Sequence, residues 1–305
     1  MQISHKLTST VERYRFECVV LGVLMVLYAP LLWHWVDGWL NKSISTEHEY
    51  FSHGLIGLPF AAYLVWKSRA QWRHLPNSTQ ILELALGLAL LLLGIGCYVS
   101  KVVDLVNLSL VIILTGLCFW LKGTTGLRLQ AFPLLLVLLA TPNQIPYLIA
   151  PYTLPLQQLI AGTAGFILLQ VGLEVRVDQI YLFVNERIVE VAPYCAGLKM
   201  LFTSLYVGLM LLYWTGAWTS RAKALWFCTG IITISTVANI IRNALLTFFH
   251  GTEQAQAFHW LHDSWGGDLY SAAMLGCVVF LLRGIDSWFT SLEPEPKLAE
   301  PDPEL

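Results

Sequence analysis

From Phe16 to Leu282 the chain alternates between apolar blocks and short polar connections. A helix that crosses the bilayer core needs about 20 mostly apolar residues, within a range of roughly 17 to 25. Eight segments reach or approach that length: 16–36, 50–66, 81–99, 105–121, 127–142, 196–214, 224–249 and 266–282. The pattern therefore predicts an all-α polytopic membrane protein with about eight transmembrane helices. The fifth segment is short and ends at Thr141-Pro142. In the first, Lys6, Arg13 and Arg15 precede Phe16–Trp33, and no small-x-small cleavage signal follows at Leu31-Leu32-Trp33-His34-Trp35. It reads as a retained span.

Two segments break the rhythm. Residues 147–173 are apolar enough to cross, yet they carry Pro151, Pro155, Gln157 and Gln158. A re-entrant or interfacial helix is expected there. Next, Val175, Val177, Ile180 and Leu182 lead to Asn185-Glu186, and Ile188, Val189 and Val191 follow. β-Branched runs about a polar turn predict a small β-hairpin over about 175–192.

The charges orient these elements. Arg13 and Arg15, then Lys67, Arg69 and Arg73, then Lys122 and Arg128, then Arg221 and Lys223, and finally Arg283 fall in alternate connections. The remaining connections hold only Lys42 and Lys101. Basic residues gather on the cytoplasmic side, so both termini are expected inside and the hairpin outside. A crossing at 147–173 would move Arg221 and Lys223 outward, which favours the re-entrant reading. Residues 1–288 form one transmembrane domain in this reading. The Pro- and Glu-rich tail, 289–305 with Pro294-Glu295-Pro296, is expected to be a disordered cytoplasmic segment.

Composition agrees: 56% of the residues are hydrophobic and 12% charged, against about 25% charged in soluble domains. The formal net charge of -2 suggests no nucleic-acid partner. The six cysteines form no Cys-x-x-Cys pair and no zinc spacing, so neither metal nor cofactor is implied. Cys18, Cys97, Cys118, Cys228 and Cys277 lie in apolar runs, whereas Cys195 ends a polar stretch at the start of the sixth span.

The predicted topology brings three reactive groups to the outer level. Cys195 follows the hairpin, Arg242 lies about two turns below the outer end of the seventh span near His250, and His262 just precedes the eighth. A helix N-terminus favours a thiolate, and Gly197 would let a substrate backbone approach closely. An arginine inside a span costs about 2.5–3.5 kcal/mol on insertion scales and calls for a partner or a task. Asn239 shares its helix face at i, i+3. An imidazole can carry protons near neutrality, and His259 and His250 compete with His262 for that role. Thiol, guanidinium and imidazole together supply a nucleophile, an oxyanion stabiliser and a proton carrier. Each also has a plain reading: an inert interfacial cysteine, an arginine reaching the headgroups, a surface histidine. His53, in Tyr50-Phe51-Ser52-His53-Gly54, either lines the same cavity or belongs to the membrane interface.

At these residues the sequence resembles the exosortase/archaeosortase family of multi-spanning membrane enzymes. Tyr50–Gly54 with Ala62–Arg69 resembles the family's Ser-His-Gly segment and its following helix. Pro142–Gln158 and then Gly172 with the hairpin resemble the lead-in to its nucleophile. Val189–Leu198 resembles its cysteine motif, Asn239–Asn243 its arginine motif, and His262-Asp263 with Gly266 its histidine motif. The length and the hairpin are similar to the cyanobacterial subgroup.

The resemblance implies a cysteine peptidase or transpeptidase of the cell inner membrane, with its site on the extracytoplasmic face. It would cleave a C-terminal signal on exported proteins: a Pro-Glu-Pro-type motif, a transmembrane tail and a basic end. The product would pass to water or to a glycan or lipid acceptor. Cys195 would be the nucleophile, Arg242 the oxyanion stabiliser and His262 the acid/base, with Asn239, Gly197, His53, His259 and Asp263 in support. Two other classes stand beside it. A transporter or lipid-linked polysaccharide assembly component would bind an anionic group through Arg242. A noncatalytic scaffold would use the polar residues only to hold partner helices.

Overall fold

The computed structural model describes residues 2–40 and 50–292, with residues 2–18, Leu21, Tyr194 and Cys195 described by their main chain alone. The Pro-Glu-Pro tail expected to be disordered lies outside these residues from 293 onward, as does Lys42. The chain is an all-α polytopic membrane protein with one small sheet. Among the described residues seven helices are long and apolar enough to cross a membrane. It divides into two compact units, Met1–Pro146 and Tyr147–Leu305.

The first unit holds α1 (Gln2–Leu40), α2 (Gly54–Lys67), the short α3 (Arg69–His74), α4 (Ile81–Val99) and α5 (Val103–Ala140). The expected spans 105–121 and 127–142 are the two arms of α5, which turns back at Gly123 (φ 61°, ψ −153°). That backbone region is essentially confined to glycine. The reversal is tied at both ends. Asn107 donates to the carbonyl of Pro142 at 3.0 Å, so the start of one arm meets the end of the other. At the turn, Glu83 accepts from the backbone N–H of Thr124 at 2.9 Å and from its hydroxyl at 2.8 Å, capping the second arm. Lys122, expected in a cytoplasmic loop, is buried and donates to the carbonyl of Leu75.

The expected second span, 50–66, is corrected. It is a 14-residue helix, α2, entered through a turn at 51–53. At 1.5 Å per residue it falls short of the bilayer core. Tyr50, which is helical, and Phe51, in the turn, are both buried, and they extend the apolar run in sequence without extending α2.

The second unit continues from the helical stretch 145–170, made of α6 (Ile145–Ile149), a 3-10 turn (Ala150–Thr153) and α7 (Leu154–Gln170). Together these 26 residues are long and apolar enough to cross. Pro151 and Pro155 are absorbed by the 3-10 turn and the first turn of α7, positions that need no amide donor. Strands β1 (Val175–Asp178), β2 (Tyr181–Val184) and β3 (Arg187–Glu190) follow as a three-stranded antiparallel meander. The expected hairpin is thus one strand short of what forms. Asn185 (φ 47°) and Glu186 (φ 66°) make the polar turn seen in the sequence, with the two positive φ values of a type I′ turn. The missed turn is Gln179-Ile180, where Gln179 takes φ 53° although neither residue is a usual turn former.

A 3-10 turn (Pro193–Ala196), α8 (Leu198–Thr215), a second 3-10 turn (Ala217–Thr219), α9 (Arg221–Gly251), α10 (Ala255–His262) and α11 (Trp265–Leu292) complete the unit. α11 thus continues four residues beyond 288. One core joins α7, the inner face of the sheet and α9: Ile160, Ala164 and Leu168 pack with Leu182, Val191, Ala196 and Ala244. A second core, with Phe227, Ile231, Val278 and Leu282, lies nearer the opposite end of α9 and α11. Lys223 pairs with Asp286 at 3.2 Å beside that second core.

Candidate functional site

The cysteine loop begins where β3 leaves the sheet. Val191 donates to the carbonyl of Ile180 at 2.9 Å, and its own carbonyl accepts from Gln157 of α7 at 2.7 Å. Gln157 is buried, and its carbonyl oxygen is met by the Thr153 hydroxyl at 3.2 Å. Ala192 stays extended, and Pro193 opens the 3-10 turn that carries Cys195. Gly197 ends it at φ 79°, a left-handed value that lets α8 begin at Leu198.

Gly197 also brings this loop against α9. A Cβ at that position would lie 2.6 Å from Cγ of Asn239, too close for any side chain. Asn239 is buried, and its carbonyl accepts from the Asn243 side chain at 2.9 Å, one turn on. A small, partly open cleft lies beside the contact, between Leu156 and Ile160 of α7, Ala196-Gly197, and Ser235, Thr236 and Asn239 of α9. Thus Gly197 and Asn239, singled out in the sequence, meet directly.

Arg242 is half-buried one turn from Asn239. It reaches toward the start of α11, where its Nη2 lies 3.8 Å from the place a Cβ would take at Gly267. That same place is 2.9 Å from the carbonyl of Leu261, the residue before His262. At Gly266 a Cβ would lie 2.5 Å from the carbonyl and the ring of Trp260. The two glycines therefore let the last turn of α10 fold against the first of α11, next to Arg242. Tyr270 ties α11 to α9 by donating to the carbonyl of Ala238 at 2.6 Å.

His259 and His262 occupy the last turn of α10 and share one acceptor. Nδ1 of His259 lies 2.8 Å from Oδ2 of Asp263, and Nδ1 of His262 lies 2.5 Å from Oδ1. The bonds from His259 and His262 hold the Asp263 carboxyl below its ordinary range. Engagement of Nδ1 leaves Nε2 of each ring for proton exchange. Phe258 stacks on His262 at 5.2 Å and 9°, leaving its side chain 36% exposed, whereas that of His259 is 70% exposed. The ring of His250 lies 5.4 Å from that of Phe258, tilted by 51°. Among the described residues no three His, Cys, Asp or Glu side chains converge in a metal-binding arrangement.

The sheet rests on the end of α9. Asn185 donates to the carbonyl of Gly251 at 3.0 Å, and Arg187 to that of His250 at 3.3 Å while pairing with Glu253 at 2.9 Å. These bonds satisfy carbonyls that the helix terminus leaves open. His53 belongs to the first unit, where it is buried and hydrogen-bonds the Leu139 carbonyl through Nε2 at 3.1 Å.

Gln157 was legible only as a polar residue in an apolar helix; its partner, 34 positions away, was not. A family model described as transmembrane exosortase matches residues 39–279 of the chain. No curated protein and no solved structure matches it.

Proposed function

Since the chain belongs to the transmembrane exosortase family, we propose that it is a membrane-embedded cysteine peptidase or transpeptidase acting on the C-terminal sorting signals of exported proteins. The observation that carries this reading is the seating of Gly197 on Asn239. It fixes the loop of Cys195 to α9 one turn from Arg242, and Arg242 in turn lies beside the α10–α11 junction that follows His262.

In this reading the substrate carries a Pro-Glu-Pro-type motif, a transmembrane tail and a basic end. Its tail enters the bilayer and its motif reaches the extracytoplasmic face of the inner membrane, with both termini of the enzyme in the cytoplasm. The Cys195 thiolate attacks the scissile carbonyl carbon, and Arg242 stabilises the oxyanion. The carbon–nitrogen bond then breaks, and His262 gives its Nε2 proton to the departing amine. Water, or the amine or hydroxyl of a glycan or lipid acceptor, attacks the thioester. His262 takes up the proton released, and the cysteine is freed as thiolate. Asp263 holds the ring through Nδ1 during both transfers, and His259 shares that carboxylate.

The test is co-expression with an epitope-tagged exported reporter bearing such a signal. Wild type converts the reporter to a shorter or acceptor-linked form, and Cys195→Ala leaves it intact. Processing that persists in Cys195→Ala removes the assigned nucleophile. An unchanged phenotype in Cys195→Ser with loss in Arg242→Ala would favour binding of an anionic group instead.

A further inference from the structure

We propose that the free edge of β3 receives an extended segment of the substrate peptide as a fourth strand and leads it to Cys195. This rests on the peptidase reading above, and the test is arranged so that the two can fail separately.

The bond from Val191 to the Ile180 carbonyl fixes the phase of the β2–β3 ladder. Antiparallel pairs alternate between bonded and non-bonded positions. With Leu182 opposite Val189 and Val184 opposite Arg187, these are the bonded pairs. The N–H and C=O groups of Ile188 and Glu190 therefore point away from β2. Among the described residues, no backbone group outside the sheet bonds either of them. Ile188 is 59% exposed and Glu190 is exposed. Natural edges are guarded by charged side chains, proline or a bulge. Residues 187–190 hold no lysine and no proline and pair with β2 one to one. Arg187 is tied to Glu253 and the His250 carbonyl, which leaves Glu190 as the charge on this edge.

Such an edge selects its occupant. The outward groups recur every second residue, about 7 Å apart, the repeat of an extended peptide. A helix keeps its own N–H and C=O groups engaged, so a transmembrane tail cannot fill the edge. The segment preceding that tail can. Continuity with the candidate site favours this edge over that of β1. Beyond Glu190 the chain runs through Val191–Pro193 into the turn of Cys195, and Gln157 fixes its direction at Val191. β1 lies two strands, about 10 Å, away.

The probe is the exported reporter with a Pro-Glu-Pro motif, transmembrane helix and basic end. In a Cys195→Ala background, a photo-crosslinking amino acid placed at Ile188 or Glu190 should capture the reporter just before its transmembrane helix. The same group at Arg176 on β1 should not. In the otherwise native chain, Ile188→Pro and Glu190→Pro delete an outward N–H while sparing the inner ladder. Each should slow processing about tenfold, the scale of one lost hydrogen bond, and by more than alanine at the same position, which keeps the outward N–H. Thermal unfolding in detergent identifies any proline variant that misfolds, and the crosslinks then decide alone. Cleavage by wild type without capture at either edge residue overturns the proposal and leaves the peptidase reading intact. Capture without cleavage by wild type upholds the edge and removes the peptidase. A crosslinked product of two enzyme chains assigns the edge to self-association and also overturns the proposal.

Discussion

The side-chain amide of Gln157 donates to the backbone carbonyl of Val191 at 2.7 Å, joining α7 to the residue from which the cysteine loop departs. Gln157→Leu keeps the volume but leaves that buried carbonyl unmet, at a cost of about 1–3 kcal/mol. The thermal midpoint in detergent should fall, and the alkylation rate of Cys195 should change its pH profile. An unchanged profile would mean that the bond holds the helix but not the loop.

Gly197→Ala meets two obstacles at once. Its φ of 79° costs a side-chain-bearing residue about 1–2 kcal/mol, and its Cβ would press on Asn239 at 2.6 Å. Reporter processing should fall at least about tenfold, as expected for that strain. Adding Asn239→Ala should relieve only part of the collision, because Cβ of residue 239 stays 2.9 Å away, and should recover some folded yield without restoring full processing. Purified yield and cleavage rate, measured on the same preparations, separate the two effects.

Arg242→Lys keeps a positive charge and loses the planar fork. If the guanidinium meets an oxyanion, Arg242→Ala should slow single-turnover cleavage by about a hundredfold or more, and lysine should rescue only part of this. Full rescue by lysine would reduce the role of Arg242 to its charge.

Acid should loosen α10. The two histidine bonds lower the pKa of Asp263 in the folded protein. Their stabilisation is therefore complete above the ordinary carboxylate range and fades as pH falls through the lowered value. The difference in thermal midpoint between wild type and Asp263→Asn should be constant near neutrality and vanish on acidification. It should also be small, because these side chains are largely open to solvent. A difference that grows with acidity would contradict the assignment.

Gly123→Ala should be the most damaging change in the first unit. A Cβ there would fall on the Glu83 carboxylate that caps Thr124, in a backbone region costing about 1–3 kcal/mol. Size-exclusion profiles in detergent should show loss of the folded peak, whereas Gly96→Ala, where a Cβ meets nothing, should elute as wild type.

Hydrophobic periodicity alone disclosed the long helices, because burial in lipid asks little more than length and apolarity. The reversal inside α5 was visible through Lys122 and Arg128, although Lys122 turned inward to a carbonyl rather than outward to water. The length of α2 was not visible, since the buried aromatic residues Tyr50 and Phe51 ahead of it read as part of the same helix when only hydropathy is considered. The third strand was hidden because Gln179-Ile180 lacks turn-forming residues, its geometry being imposed by the pairing on either side. At the site, the sequence pointed to Gly197 and Asn239 separately, but their contact joins positions far apart in the chain. The shared carboxylate of His259 and His262 follows from spacings of four and one residues to Asp263, which helical geometry makes legible only once α10 is known to end there.

The docking of the sheet on α9 bears on the order of biosynthesis. Asn185 and Arg187 leave the ribosome well before His250 and Gly251, the residues whose carbonyls they engage. The receptor for the end of α9 is thus made ahead of the helix that it stops. How far α9 can slide during assembly is limited by that waiting anchor, and the depth of Arg242 along it is set from the same point.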